Sequence, residues 1–216
     1  MFEDRDDAGQ RLASALGGYR DQDALILAIP RGGIEVGYQV ARYLQAEFDI
    51  IMARKLPWPD NSEAGFGAIA EDSSIFIFPE VFAKLAKKKI DRIISEQHAE
   101  LERRIGALRA GCPLPKIAGR TVILVDDGIA TGSTMRVCVD MCRKAQAGLI
   151  VVAVPVAGRI SAEEFRELAD DVVIVEEIEN FYAVAQGYLD WCDVSDREVI
   201  EIMHQWEYEK YQIMEY

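Results

Sequence analysis

The chain has 216 residues, half of them hydrophobic, which is enough for one domain with a complete core. Its net charge of −13 argues against sequence-independent nucleic-acid binding, which depends on Lys and Arg neutralising phosphates. The chain opens Met1-Phe2-Glu3-Asp4 without a basic, apolar leader, and no apolar run reaches the roughly 18 residues of a membrane span. We therefore expect a single domain over residues 1–216, soluble and cytoplasmic, with no nucleic-acid or membrane partner.

The charge is unevenly distributed along the chain. From Arg159 to the end there are 16 acidic and 4 basic residues, so residues 1–158 carry a net charge of only −1. An anionic ligand bound by this first part escapes most of the acidic field and would still gain from a bound cation. The four cysteines match no disulfide or zinc spacing, and Cys138 and Cys142 are interpreted as buried packing residues.

Apolar runs predict an α/β fold with a mainly parallel twisted sheet flanked by helices. The runs cover residues 25–29, 48–53, 121–125, 149–156 and 172–175. Apolar residues at helical spacing over 34–44 predict the first crossover helix, which completes a right-handed βαβ unit.

The remaining segments follow other patterns. Prolines and glycines interrupt residues 56–78, which predicts a loop plus a hairpin, here called the flap. Apolar residues at mostly helical spacing predict the longest helix over 79–109, and Gly111 stops it. A C-terminal helical segment is predicted over residues 196–216.

Ligands of parallel α/β sheets bind at the carboxyl ends of the strands. Three loops follow predicted strands at this edge, at residues 30–33, 54–55 and 126–134. The third opens with Asp126 and Asp127 and closes with Thr-Gly-Ser-Thr before a predicted helix. Adjacent carboxylates can accept hydrogen bonds from the vicinal hydroxyls of a ribose, and a helix N-terminus can bind a phosphate. The loop therefore has the chemistry to bind a ribose 5-phosphate.

Simpler interpretations account for less of this loop. A tight turn with a helix cap explains Thr131 or Ser133, but not two acids followed by Gly128 and Gly132. The lysine of a Walker motif is missing, and the glycines near residue 33 have the wrong spacing for a dinucleotide-binding fingerprint.

Residues 122–134, reading VILVDDGIATGST, resemble the phosphoribosyl diphosphate motif of type I phosphoribosyltransferases. The order of elements is similar too, with a diphosphate loop, a mobile flap and this motif after successive core strands, so the resemblance covers roughly residues 20–190. The combination of IPRGG at Ile29, ARK at Ala53 and EAGFGA at Glu63 resembles a less characterised bacterial and archaeal subgroup.

The resemblance implies an enzyme of nucleotide metabolism that transfers the phosphoribosyl group to a nucleobase or similar nitrogen acceptor and releases diphosphate. It also implies magnesium as cofactor, held mainly by substrate near Asp126 and Asp127 without a direct protein ligand. These two aspartates would bind the ribose. The implied 5-phosphate ligands follow in the motif and are Ala130, Thr131, Gly132, Ser133 and Thr134.

The other implied site residues lie in separate loops. The implied diphosphate ligands are Arg31, Gly32, Gly33, Arg54 and Lys55, of which Arg31 and Lys55 are the predicted catalytic residues. The acceptor is expected beside Phe181 and Tyr182, because family members often stack an aromatic side chain on the base after the last core strand. A solvated strand end for residues 54–55 and core packing for Phe181 remain open alternatives.

One residue departs from the 6-oxopurine branch of the family. That branch has an aspartate just before the Thr-Gly of the motif, and this chain has Ala130, as the adenine and several pyrimidine branches do. A hypoxanthine or guanine enzyme using that acid is therefore disfavoured. Glu63 and Glu71 in the flap are candidates for a replacement acid or base.

Two other functions fit the same residues. A regulator could keep the phosphoribosyl diphosphate site without catalysing transfer, since a fold does not decide a function. An unrelated α/β hydrolase or phosphatase could use Asp126 and Asp127 as metal ligands, but that leaves residues 131–134 unexplained. The sequence leaves the oligomeric state open, and a homo-oligomer is compatible with it.

Overall fold

The computed structural model describes residues 1–214 and holds a five-stranded and a three-stranded sheet. The helices are α1 (Arg5–Ala15), α2 (Gly33–Leu44), α3 (Val81–Lys84), α4 (Lys87–Arg109), α5 (Ser133–Lys144), α6 (Arg159–Leu168) and α7 (Asp196–Met214). The strands are β1 (Leu25–Ala28), β2 (Glu47–Ile50), β3 (Ala53–Trp58), β4 (Asn61–Ala70), β5 (Ile75–Ile77), β6 (Thr121–Val125), β7 (Leu149–Gly158) and β8 (Asp171–Ile178).

The central sheet has the order β2-β1-β6-β7-β8, and every neighbouring pair is parallel. Helices cover both faces, so β1 and most of β6 and β7 are buried and read as continuous apolar runs. One face packs on α1, α2, α4 and α7, and the other on α5 and α6. The predicted α/β fold with a parallel sheet flanked by helices is confirmed.

The predicted strand over 48–53 is wrong in its second half. β2 ends at Ile50, although the Ile51 amide still donates to the Ala28 carbonyl at 2.9 Å. The chain then leaves the central sheet and enters the antiparallel sheet β3-β4-β5 at Ala53. Arg54 and Lys55 therefore lie within β3 rather than in a loop.

The flap belongs to an antiparallel sheet over residues 53–77 that contains the predicted hairpin, but the predicted loop is largely β-strand. One face of this sheet packs Phe66 and Ile69 against α3 and α4 in a hydrophobic cluster of its own. Small residues on the other side, including Ala68 and Ala70, belong to the same cluster as Cys138 and Cys142 of α5. The base of the flap is thus held between helices.

The predicted continuous helix over 79–109 is wrong. Leu85 and Ala86 are extended and separate α3 from α4. The apolar spacing explains the break, because Leu85 and Ile90 lie five residues apart and a helix places residues three or four apart on one face. Two separate helices allow both residues to pack in the hydrophobic cluster that contains Phe66 and Ile69.

The ends of the chain form helices that frame the central sheet. α1 begins where the Asp4 side chain accepts a hydrogen bond from the Asp7 amide at 2.9 Å. α7 confirms the predicted C-terminal helix as far as Met214, and residues 215–216 of that prediction lie outside the described residues. Trp206 of α7 packs edge-on against Phe48, with ring centroids 5.6 Å apart. Within residues 1–214, no helix combines the length and apolarity of a membrane span.

Candidate functional site

Two of the predicted loops meet at the carboxyl end of the central sheet. The Ile29 amide donates to the Val125 carbonyl at 2.8 Å, which places residues 30–33 beside residues 126–127. The loop over 30–33 contains a cis peptide bond between Pro30 and Arg31. A Cβ atom on Gly32 would lie 1.7 Å from Oδ2 of Asp127, so only glycine fits there.

The N-termini of two helices lie at this edge. α2 begins at Gly33 directly after the first loop, and α5 begins at Ser133 directly after the second. Unpaired backbone N–H groups and the helix dipole make such N-termini suitable for binding phosphate. The structure therefore brings a predicted diphosphate loop and a predicted 5-phosphate loop to one edge.

Gly132 sets the geometry of the 5-phosphate loop. Its φ is +71°, which favours glycine, and a Cβ atom there would lie 2.5 Å from Cε2 of Phe165 on α6. The loop is fixed to β7, because the Ile129 amide donates to the Val156 carbonyl at 2.9 Å. Ser133 is buried at the start of α5, whereas Thr131 is exposed.

The two aspartates of the motif are largely buried and close together. The Asp127 amide donates to Oδ1 of Asp126 at 2.9 Å. Burial and the neighbouring Asp127 charge raise the pKa of Asp126 well above its ordinary value. Burial also raises the pKa of Asp127, but the Arg5 guanidinium opposes this effect. An acceptor-rich, poorly solvated pair of this kind suits the hydroxyl groups of a diol.

Arg5 and Tyr188 both form hydrogen bonds to Asp127, and the sequence did not indicate either role. Arg5 Nε donates to Oδ2 of Asp127 at 2.9 Å, and the Tyr188 hydroxyl donates to the Asp127 carbonyl at 2.6 Å. The Arg5 guanidinium also lies 3.9 Å from the centre of the Trp191 ring. Asp4 followed by spaced apolar residues could have predicted α1, but no local pattern shows that Arg5 reaches a residue 122 positions away.

The two basic residues of β3, Arg54 and Lys55, lie on opposite faces of the strand. Arg54 donates to Gln97 of α4 at 2.9 Å and lies 3.7 Å from Glu100, so its guanidinium is directed towards that helix. Lys55 is exposed and packs beside Gly65, where an added Cβ atom would lie 2.3 Å from Cγ of Lys55. Arg31 is exposed in the first loop. The diphosphate and catalytic roles of these three residues stay predictions.

A pocket of about 570 Å³ adjoins the motif, and its wall contains Ala130, Ser161, Phe181 and Tyr182. Phe181 is half-buried and lies against Gly158, whereas Tyr182 is 80% exposed. Ser161 Oγ donates to the Ala130 carbonyl at 2.6 Å and fixes this wall. The structure thus brings the two predicted acceptor residues and the motif together, and their role in binding an acceptor stays a prediction.

The flap acid Glu71 has a different role from the one the sequence suggested. One of its carboxylate oxygens accepts from the Met52 amide at 2.9 Å, and the other pairs with the buried Arg109 of α4. Both oxygens are therefore engaged within the fold, and Glu71 is not available as an acid or base. The side chain of Glu63 lies outside the described residues.

Comparison with known proteins shows the family to which the chain is similar. The model of the "Phosphoribosyl transferase domain" family matches residues 5–190. Two Mycobacterium tuberculosis proteins, one of them named "Putative phosphoribosyl transferase Rv0571c", are 36% identical over 205 residues. That match covers 94% of this chain and 46% of the relative, so the chain spans about half the length of the curated relatives it matches.

A solved structure resembles nearly the whole chain. The Thermus thermophilus protein TT1426 is 34% identical, with a TM-score of 0.79 over 95% of this chain and 98% of its own. The matched family region runs from Arg5 to Asp190 and includes both loops at the sheet edge and the pocket beside them. The chain belongs to the phosphoribosyl transferase domain family.

Proposed function

We propose that the protein transfers the phosphoribosyl group of phosphoribosyl diphosphate to a nitrogen atom of a small acceptor such as a nucleobase. The observation that carries this proposal is the contact between residues 30–33 and residues 126–127 at the carboxyl edge of the sheet. This contact supports the proposal because the proposed diphosphate loop lies beside the proposed diol acceptors Asp126 and Asp127, and the chain then continues from them to the N-terminus of α5, the proposed 5-phosphate site.

Each part of the ligand has a suitable partner. Backbone N–H groups of Gly32 and Gly33 hold the diphosphate, with positive charge from Arg31 and Lys55. The carboxylates of Asp126 and Asp127 accept hydrogen bonds from the two ribose hydroxyls. The first turn of α5 receives the 5-phosphate. The acceptor occupies the pocket beside Phe181, next to the anomeric carbon.

During transfer the bond between the anomeric carbon and the diphosphate oxygen breaks, and its electron pair leaves with the diphosphate. A lone pair of the acceptor nitrogen forms the new bond with inversion, and that nitrogen gives up its proton to solvent water. The residues of the site position both partners and stabilise the negative charge that develops on the leaving group.

Magnesium is the cofactor we propose, and the residues present fit it. Carboxylate and phosphate oxygens are the hard donors that Mg²⁺ prefers, and it usually keeps several water ligands. Asp126 and Asp127 are the protein groups that would lie near the ion. When bound, the ion neutralises charge on the diphosphate. In the described part of the chain, no three or more His, Cys, Asp or Glu side chains cluster so as to hold a metal.

Incubation with phosphoribosyl diphosphate, MgCl₂ and a panel of purine and pyrimidine bases tests this proposal. We expect diphosphate release that requires both the base and magnesium. Tight binding of phosphoribosyl diphosphate without release for any base would instead identify a regulator. Absence of binding, together with hydrolysis of a phosphate ester, would favour a hydrolase.

A further inference from the structure

Arg5 is a charged residue whose side chain is only 7% exposed. Burying a guanidinium is costly unless charge and hydrogen-bonding partners compensate for the lost hydration. Its Nε donates to Oδ2 of Asp127 at 2.9 Å, and its Nη1 donates to the Cys192 carbonyl at 2.8 Å. Trp191 covers the face of the guanidinium. Two separate segments of the chain, at Asp127 and at Trp191 with Cys192, therefore fix the orientation of this one side chain.

Arg5 also lies close to the diphosphate loop. A Cβ atom on Gly32 would lie 1.7 Å from Oδ2 of Asp127 and 3.0 Å from Nε of Arg5. The backbone at Gly32, the Asp127 carboxylate and the guanidinium thus meet at one point. This point joins the loop proposed for the diphosphate to the loop proposed for the ribose.

Without Arg5 this arrangement would be unfavourable. Asp126 and Asp127 are adjacent and poorly solvated, so two negative charges repel each other there. A carboxylate that loses its cationic partner can reduce the repulsion by rotating away or by taking up a proton. Either change removes a charged acceptor from the ribose site.

We propose that Arg5 is a positioning residue of the phosphoribosyl diphosphate site, and this inference rests on the proposed function. Its guanidinium holds the Asp127 carboxylate against Gly32, so that the ribose and diphosphate loops are in register before the ligand binds. Arg5 acts through Asp127 and need not touch the ligand.

A double-mutant cycle measured by calorimetry tests this role. The dissociation constant for phosphoribosyl diphosphate with MgCl₂ is measured for the full-length wild type, Arg5→Ala, Asp127→Asn and the double variant. We expect Arg5→Ala to weaken binding by roughly tenfold or more, as for loss of a charge-assisted hydrogen bond. The double variant should bind within about twofold of Asp127→Asn alone, because coupled residues are not additive.

Two further variants separate positioning from general stability. Arg11→Ala removes another arginine of α1 that pairs with Glu176 at 2.7 Å and covers Phe2, and it should leave ligand binding unchanged. Arg5→Lys keeps the charge but not the two-pronged geometry, so its affinity should lie between those of wild type and Arg5→Ala. If Arg5→Ala fails to fold, Arg5→Lys and the double variant, which removes both charges, still decide the question.

The outcomes are distinct. Equal affinity of wild type and Arg5→Lys or Arg5→Ala overturns the positioning role while leaving the proposed function intact. A double variant much weaker than Asp127→Asn also overturns it, because Arg5 would then act independently of Asp127. If the wild type does not bind phosphoribosyl diphosphate, the proposed function fails and this inference fails with it.

Discussion

Asp126 lies at the end of a buried strand and is itself largely buried beside Asp127. Burial and the Asp127 charge raise its pKa, so the folded state binds a proton there more tightly than the unfolded chain does. The charged form therefore destabilises the fold. The loss of folding stability caused by the charged Asp126 side chain is complete above its raised pKa. It disappears as the pH falls below the ordinary value of 3.8.

Asp126→Asn should raise the melting temperature at pH 7–8, and the difference from wild type should shrink as the pH is lowered towards 4. Asparagine can still accept the hydrogen bond from the Asp127 amide through Oδ1. In a domain of this size 1 kcal/mol corresponds to roughly 2–4 °C. Thermal melts across this pH range provide the measurement, and a variant less stable than wild type at neutral pH would contradict the prediction.

The same aspartates should dominate ligand affinity. Asp126→Asn combined with Asp127→Asn should weaken phosphoribosyl diphosphate binding at least tenfold, since charge-assisted hydrogen bonds contribute about 1.5–3 kcal/mol each. Calorimetry on the folded variant measures this. The exposed pair Asp190→Asn and Asp193→Asn removes the same charge elsewhere and should bind normally. Unchanged affinity in the first variant would remove the ribose assignment.

Phe181 distinguishes an acceptor site from core packing. If its ring stacks on the acceptor, Phe181→Ala should raise the acceptor KM while phosphoribosyl diphosphate affinity and melting temperature change little. Stacking of a base on an aromatic ring contributes about 1–3 kcal/mol. Initial-rate kinetics and thermal melts provide the readouts.

The half-buried position of Phe181 fits either role, so the control matters. Tyr182→Ala removes the exposed neighbouring ring and should have the smaller effect on KM if Phe181 is the stacking residue. A core role would instead cost Phe181→Ala about 3–5 kcal/mol and affect both substrates together. A large fall in melting temperature would leave the acceptor pocket without an assigned aromatic residue.

Among the elements, the flap differs most from the sequence prediction. Its base is anchored, because Lys144 of α5 donates to Ser74 Oγ at 2.8 Å and Arg136 lies 4.7 Å from the centre of the Phe76 ring. The turn between β3 and β4, which includes Asp60, is exposed. The glycines and prolines of residues 56–78 also suggest a lid that orders over bound substrate. This hypothesis applies best to the exposed turn, where movement breaks few contacts.

Limited proteolysis tests the lid. Residues 56–78 contain no Lys or Arg, so a protease that cleaves before aspartate suits the exposed Asp60 better than trypsin does. Phosphoribosyl diphosphate with MgCl₂ should slow cleavage at Asp60. Asp21 and Asp23, exposed before β1, serve as internal controls and should be cut at the same rate. Equal slowing at all three sites, or none at Asp60, would argue against a lid.

The elements also show what local sequence can predict. The central strands β1, β6 and β7 were predicted nearly at their observed bounds, because strands buried on both faces must be continuously apolar. The outer strands β2 and β8 are only partly buried, and their predicted bounds are less accurate. β3 was missed because Pro57 and Pro59 resemble loop residues. Pro57 lies within β3, an edge strand that tolerates it, and Pro59 lies in the turn that follows. The residues of the motif were enough to predict the loop over 126–134. The hydrogen bonds that Arg5 and Tyr188 donate to Asp127 are long-range contacts, for which the local sequence has no signal.

On the scale of the whole molecule, the acidic C-terminal quarter is not separate from the site. Glu179 lines the pocket beside Phe181, and Glu176 and Glu177 precede it in β8. Ion pairs compensate Glu177 and Glu179, with Arg166 on Glu177 and Arg159 on Glu179. An anionic ligand at the sheet edge therefore does not face an uncompensated row of carboxylates.

The position of α5 connects two regions of the molecule. Its N-terminus is proposed to bind the 5-phosphate, and its side packs against Ala68 and Ala70 at the base of the flap. Any opening that separates the flap from α5 also loosens the phosphate site, so by thermodynamic linkage a ligand that orders one must stabilise the other. Ribose 5-phosphate alone should therefore slow amide hydrogen exchange in β4 more than in β8, although it touches neither strand.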